Sequence, residues 1–181
     1  MKLWLARHAQ PLIASGVCYG VTDVAADELT TQVAAEALAR ELPVGIAVIS
    51  SPLQRCEQLA QRLQALRPDL TFSTDARLRE MDFGRWEGHR WVDIPKSEYD
   101  AWTTCFGSYR FGGNENVSEF MRRVAQAWDE VHAAGLDTLW ITHAGVFRSA
   151  SLLGRGVRQI EHATQWPGDL PAFGSWSMLQ F

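Results

Sequence analysis

Three short runs that are apolar without alternation limit what this chain can become: Leu3-Trp4-Leu5-Ala6, Ile46-Ala47-Val48-Ile49 and Thr138-Leu139-Trp140-Ile141-Thr142. A strand with one wet face alternates apolar and polar residues, whereas a strand covered on both faces reads as a continuous apolar run. These runs are therefore expected as buried strands of a mostly parallel sheet. Leu70 to Ser73 and Trp176 to Phe181 are expected as further strands. Parallel strands need crossover connections, usually helices that cover the sheet faces. The expected class is α/β: a three-layer α/β/α arrangement with a mostly parallel central sheet. A chain of 181 residues suits one domain, 1–181.

The connections carry their own signals. Residues 12 to 28 include Gly16 and Gly20 and read as a loop, after which Thr30 or Thr31 can cap a helix that runs to about Leu42 and stops at Pro43. Ser51-Pro52-Leu53-Gln54 has the form of a capping box, so a helix is expected to start at Pro52, with Leu53, Cys56, Ala60 and Leu63 as its apolar stripe. Asn116 and Glu119 form a second such box, opening a helix that ends at Gly135, and another helix is expected directly after His143. The stretch from Leu78 to Gly88 reads as an ordered loop. The aromatic segment 91–113 belongs to an insertion at about 82–116, packed over the carboxyl edge of the sheet and covering the site.

Ligands of open α/β sheets bind beyond the carboxyl ends of the strands. Three such exits carry Arg7-His8, Arg55 and His143. Singly, an arginine there is usually a solvated rim residue and a histidine a packed one. Together they can surround a tetrahedral anion, because neighbouring strands lie only about 4.8 Å apart. The formal net charge of −4 argues against a nucleic-acid or membrane-surface partner. No run is long enough to span a bilayer or to form a signal-peptide core, so a cytoplasmic location is expected. Cys18, Cys56 and Cys105 form neither a disulfide framework nor a zinc motif. No metal and no cofactor is expected. Glu80, Asp82 and Glu87 are the candidate acids of the Leu78–Gly88 loop, and the residues alone do not separate them.

In order and spacing, Arg7-His8-Ala9, Ser51-Pro52-Leu53-Gln54-Arg55, Leu78-Arg79-Glu80 through Gly88, and Thr142-His143-Ala144-Gly145 resemble the four signature segments of the histidine phosphatase superfamily, the phosphoglycerate mutase-like family. The resemblance covers essentially the whole chain. It implies His8 as the nucleophile, Glu80 as the acid and base, and Arg7, Arg55 and His143 as the phosphate clamp. The Ala144 amide, Gln10 and Gly20 are further implied phosphate or substrate contacts. Two departures stand out: Ala9 replaces the usual glycine, and Gln10-Pro11 replace an acidic residue and a hydroxyl residue.

Within the family, the short chain favours a metal-independent phosphomonoesterase over a mutase. Arg110 to Val117 and the Trp86-Glu87-Gly88 loop resemble the α-ribazole-5′-phosphate phosphatase branch of the cobalamin pathway, with Asn116 where that branch has serine. A small phosphomonoester is the expected partner, and the oligomeric state is left open. Other readings are a phosphoryl-ligand binding module without turnover and a phosphohistidine-protein phosphatase. A cysteine phosphatase, suggested by Cys56-x5-Arg62, is disfavoured because the residues between them are strong helix formers rather than a glycine-rich loop.

Overall fold

The computed structural model describes residues 1–180; Phe181, the expected end of the last strand, lies outside the described residues. One five-stranded sheet forms the centre, built from β1 (Lys2–Arg7), β2 (Ala47–Ser50), β3 (Phe72–Thr74), β4 (Thr138–Thr142) and β5 (Trp176–Gln180) in the order β3-β2-β4-β1-β5. Every pairing is parallel except that of β5 with β1. The helices are α1 (Glu28–Glu41), α2 (Gln54–Leu66), α3 (Lys96–Thr104), α4 (Val117–Ala134) and α5 (Ala144–Leu153). No helix among the described residues is long and apolar enough to cross a membrane.

Successive strand residues point to opposite faces, and the two cores divide accordingly. Leu3, Leu5 and Trp140 pack with α4 and α5, while Ala6, Val48, Leu139 and Ile141 pack with α1 and α2. This two-sided burial is what removes alternation from the strand sequences. A third, smaller cluster around Phe111 gathers Phe83, Trp86, Trp91, Tyr99 and Trp102 from the segment after Glu80.

Two helix starts differ from the expectation. Asp27, not Thr30 or Thr31, caps α1: its carboxylate accepts the Thr30 N–H at 2.8 Å, and both threonine hydroxyls bond back to the Asp27 carbonyl. The capping box at Ser51 does not form, and α2 begins only at Gln54, whose N–H is taken at 2.7 Å by Asp23 from the preceding loop. The Ser51 hydroxyl lies 2.8 Å from His143 Nε2 and accepts the Leu53 N–H at a longer 3.3 Å. A partner on the next strand wins over the local cap. The strand after Pro68 is also shorter and later than expected, Phe72–Thr74 rather than Leu70 to Ser73.

The register brings the three strand exits level. Arg7 of β1 pairs with Thr142 of β4, and Ser50 of β2 pairs with Ile141. One residue further on, His8 N–H donates to Thr142 O at 3.1 Å and Ser51 N–H to Ile141 O at 2.9 Å. His8, Ser51 and His143 therefore emerge side by side at the carboxyl edge.

Candidate active site

His8 is 2% exposed, and its Nδ1 lies 2.8 Å from the carbonyl of Ala9. A carbonyl only accepts, so Nδ1 carries the proton and, in the neutral ring, Nε2 keeps its lone pair. The ring is neutral at ordinary pH. Burial, and then the nearby Arg55 charge, push its pKa down to about 3. Ala9 is fully buried and no non-glycine residue has a positive φ among the described residues, so replacing the usual glycine costs this turn nothing.

Arg55, fully buried, is held by the loop before α1. Its Nη1 and Nη2 donate to Thr22 O at 2.8 Å and Gly20 O at 2.6 Å, and its Nε faces His143 Nδ1 at 3.3 Å. A guanidinium only donates, so His143 Nδ1 accepts and the proton sits on Nε2, donated to Ser51 Oγ at 2.8 Å. Burial and the adjacent Arg55 charge hold the His143 pKa well below the usual histidine value. The ring centroids of His8 and His143 are 5.2 Å apart. Arg7 is steadied by the loop before β5: its Nη1 donates to Pro171 O at 3.0 Å and its Cζ lies 3.9 Å above the Phe173 ring. Tyr19 lies close enough to the same guanidinium for the two charges to influence each other. The buried Arg7 Nε–H has no acceptor among the described residues. Cationic donors converge on one strand edge, and one of them is unused.

The acidic candidates separate cleanly. The Glu87 carboxylate accepts from Val21 N–H, Thr22 N–H and Phe83 N–H and bonds the Thr22 hydroxyl, so it is the clasp of the Gly20–Thr22 loop. Asp82 binds Gly84 N–H and the Asn114 amide. Glu80 reaches the site, with Oε2 accepting from Gly145 N–H at 3.0 Å and Oε1 from Met81 N–H at 3.0 Å. Its backbone is fixed from two sides: Arg123 of α4 donates to the carbonyls of Arg77, Arg79 and Glu80, and the Thr142 hydroxyl to that of Leu78.

Gly145 makes room for Glu80. A Cβ there would stand 2.2 Å from Glu80 Oε1 and 2.9 Å from Phe120 Cζ. Gly145→Ala is therefore expected to displace the carboxylate and lower kcat by roughly 100-fold, since about 1 Å of misplacement costs that much. Steady-state assay beside a thermal melt checks this, and an unaltered kcat would show that the position of Glu80 is immaterial.

Of the remaining expected contacts, Ala144 opens α5 beside His143. Gly20 is buried under Met81, where a Cβ would lie 1.8 Å from the Met81 carbonyl, and contributes its own carbonyl to Arg55. Gln10 is not drawn into the cluster: it is exposed, and its carbonyl accepts the Asp27 N–H at 2.8 Å. Sequence reasoning missed Ser51 as a partner of His143, and also Tyr19, Phe173 and Arg148. Arg148 had a readable signal, since it stands four residues after Ala144 on the same face of α5. Cys56 is buried with its Sγ 3.5 Å from His143 Nε2, and burial pushes its thiol pKa up, away from thiolate chemistry. Among the described residues no group of three or more His, Cys, Asp or Glu could hold a metal ion.

The two buried histidines couple stability to pH. Below the ordinary histidine pKa of about 6.5 the unfolded chain takes up protons that the folded chain refuses, so stability is complete above that pH and falls as pH drops towards about 3 for His8. The slope is about 1.4 kcal/mol per pH unit for each histidine. Urea denaturation at intervals from pH 7.5 to 5 is expected to show this decline, with His8→Asn removing about half of it. A flat profile would contradict the buried neutral pair.

A profile of the histidine phosphatase superfamily (branch 1) matches residues 3–171. Putative phosphoserine phosphatase 2 of Hydrogenobacter thermophilus is 30% identical over 165 residues, covering 86% of this chain and 79% of that protein. Agropine synthesis reductase of Rhizobium rhizogenes is 38% identical over 116 residues, 64% of this chain, a match spanning only 23% of that protein. Among solved structures, mycobacterial glucosyl-3-phosphoglycerate phosphatase superposes with a TM-score of 0.81 at 21% identity, covering 98% of this chain and 88% of that one.

Proposed function

The chain belongs to the histidine phosphatase superfamily, and on that premise we propose that it is a phosphomonoesterase working through a phosphohistidine at His8. The single observation that carries this reading is the His8 Nδ1–H···O=C bond to Ala9, which fixes the tautomer with a lone pair on Nε2 in the field of Arg7, Arg55 and His143. In the first half-reaction Nε2 attacks phosphorus, the bond from phosphorus to the alcohol oxygen breaks, and the departing oxygen takes a proton from the Glu80 carboxyl. In the second, the Glu80 carboxylate takes a proton from water as that water attacks phosphorus; the P–N bond breaks, its electron pair returns to Nε2, and inorganic phosphate leaves.

Phosphoryl transfer depends mainly on positioning and on balancing charge at the nonbridging oxygens. Arg7, Arg55 and His143 supply that balance. Binding of a phosphate dianion offsets the Arg55 charge that holds the His143 ring neutral and so favours its protonation. The free thiols of Cys18, Cys56 and Cys105 support a reducing, cytoplasmic setting.

The substrate is a small phosphorylated metabolite. Phosphate release in EDTA from p-nitrophenyl phosphate, O-phosphoserine, 3-phosphoglycerate, α-ribazole 5′-phosphate and a phosphohistidine carrier protein tests the proposal. Turnover of one or more of the small esters is expected. Turnover of the carrier protein alone would move the substrate to that class, and binding of phosphate with no turnover of any ester would leave a binding module.

A further inference from the structure

Beside Glu80 lies a cavity of about 180 Å³ with Phe83, Trp102, Phe106 and Trp166 among its walls. Its position next to the acid is where the alcohol of a phosphomonoester bound at His8 would lie. Aromatic walls favour a flat apolar group packed face or edge on. Trp102 is itself braced, stacked at 4.4 Å on Phe111 and at 5.4 Å on Phe106. A cavity of about 150 Å³ holds benzene, so this one suits a single ring with a small substituent.

Among the described residues lining the cavity only Glu80 and Arg148 are charged. Arg148 is half-buried; its Nε donates to Pro167 O at 2.8 Å, and no carboxylate of the described residues forms an ion pair with it. Burial is the largest influence on Arg148 and lowers its pKa, with the Glu80 charge opposing it. A partly desolvated cation on an apolar wall is costly unless an anion completes it. A guanidinium on apolar walls calls for a negatively charged substituent.

We propose, building on the phosphatase reading, that this cavity holds the leaving group and that Arg148 selects phosphomonoesters of a single-ring or comparably flat apolar alcohol bearing one carboxylate. Arg148 is thus a specificity residue. The neutral leaving group of α-ribazole 5′-phosphate leaves it unmatched.

The test compares kcat/KM of the wild-type protein for 4-carboxyphenyl phosphate and its neutral isostere 4-carbamoylphenyl phosphate, then repeats the ratio with Arg148→Gln. A preference of at least about tenfold for the carboxylate is expected, falling roughly 10- to 100-fold in the variant, the range of a hydrogen bond to a charged group. The wild-type ratio stands whether or not the variant folds. A ratio near one in the wild type, or a ratio unmoved by Arg148→Gln while both rates fall, would overturn the proposal; the latter would assign Arg148 to the phosphoryl group. Hydrolysis of p-nitrophenyl phosphate but of neither aryl ester would remove the pocket specificity and keep the phosphatase reading. No turnover of any ester would remove both.

Discussion

His8→Ala is expected to lower kcat on the order of 10⁶-fold, the loss seen when a covalent nucleophile is deleted and the rest of its site is kept. The size follows from chemistry that no neighbour can take over. His143 has its Nδ1 facing Arg55 and its Nε2–H engaged by Ser51, and the buried Cys56 is held as a thiol. The fold is expected to survive, because the His8 N–H bond to Thr142 belongs to the backbone. Phosphate affinity should fall much less than kcat, since the arginines remain. Binding of inorganic phosphate by the variant, with turnover lost, separates a missing nucleophile from a collapsed site. Residual turnover within tenfold of the wild type would remove His8 from the chemistry.

The second large effect is expected of Glu80→Gln. The amide keeps the shape, and its one carbonyl oxygen can accept either the Gly145 or the Met81 N–H, which bond different oxygens of the carboxylate, but it neither gives a proton to the leaving oxygen nor takes one from water. A loss of about 10² to 10⁴ in kcat is expected for an alkyl ester, the usual worth of a general acid or base. For p-nitrophenyl phosphate, whose leaving group needs little protonation, the first half-reaction should be largely spared while hydrolysis of the phosphoenzyme stays slow. Pre-steady-state traces are then expected to show a burst of nitrophenol followed by slow turnover. Equal losses in both phases would assign Glu80 to ground-state positioning, and no loss would return the choice to other groups.

Much of this site was legible because its elements are local. The runs ending at Arg7 and Thr142 read as strands because both faces are buried, and His8, Arg7, Arg55 and His143, the proposed nucleophile and clamp, stand at strand ends or in the first turn of a helix. What escaped reading was decided by partners distant in sequence. Ser51 looks like a helix cap, yet its hydroxyl is claimed by a histidine 92 residues away. Glu87 and Glu80 are indistinguishable as letters. One meets the amides of a loop 65 and 66 residues earlier, the other the amide of Gly145. Tyr19 and Phe173 sit in loops with no periodicity to place them. Gln10 shows the converse: adjacency to His8 in sequence does not bring its side chain into the cluster, because the chain next pairs Pro11 with Ala26 and leaves the Gln10 side chain exposed.

The most direct test of a covalent phosphohistidine is to trap it. Glu80→Gln mixed with phosphoryl-labelled p-nitrophenyl phosphate, quenched in alkali and mapped by peptide mass spectrometry, is expected to carry an acid-labile phosphoryl group on His8. The same label should be absent from His8→Ala. A phosphoryl group on another residue, or turnover by the wild type with no phosphoenzyme at any quench time, would contradict the mechanism.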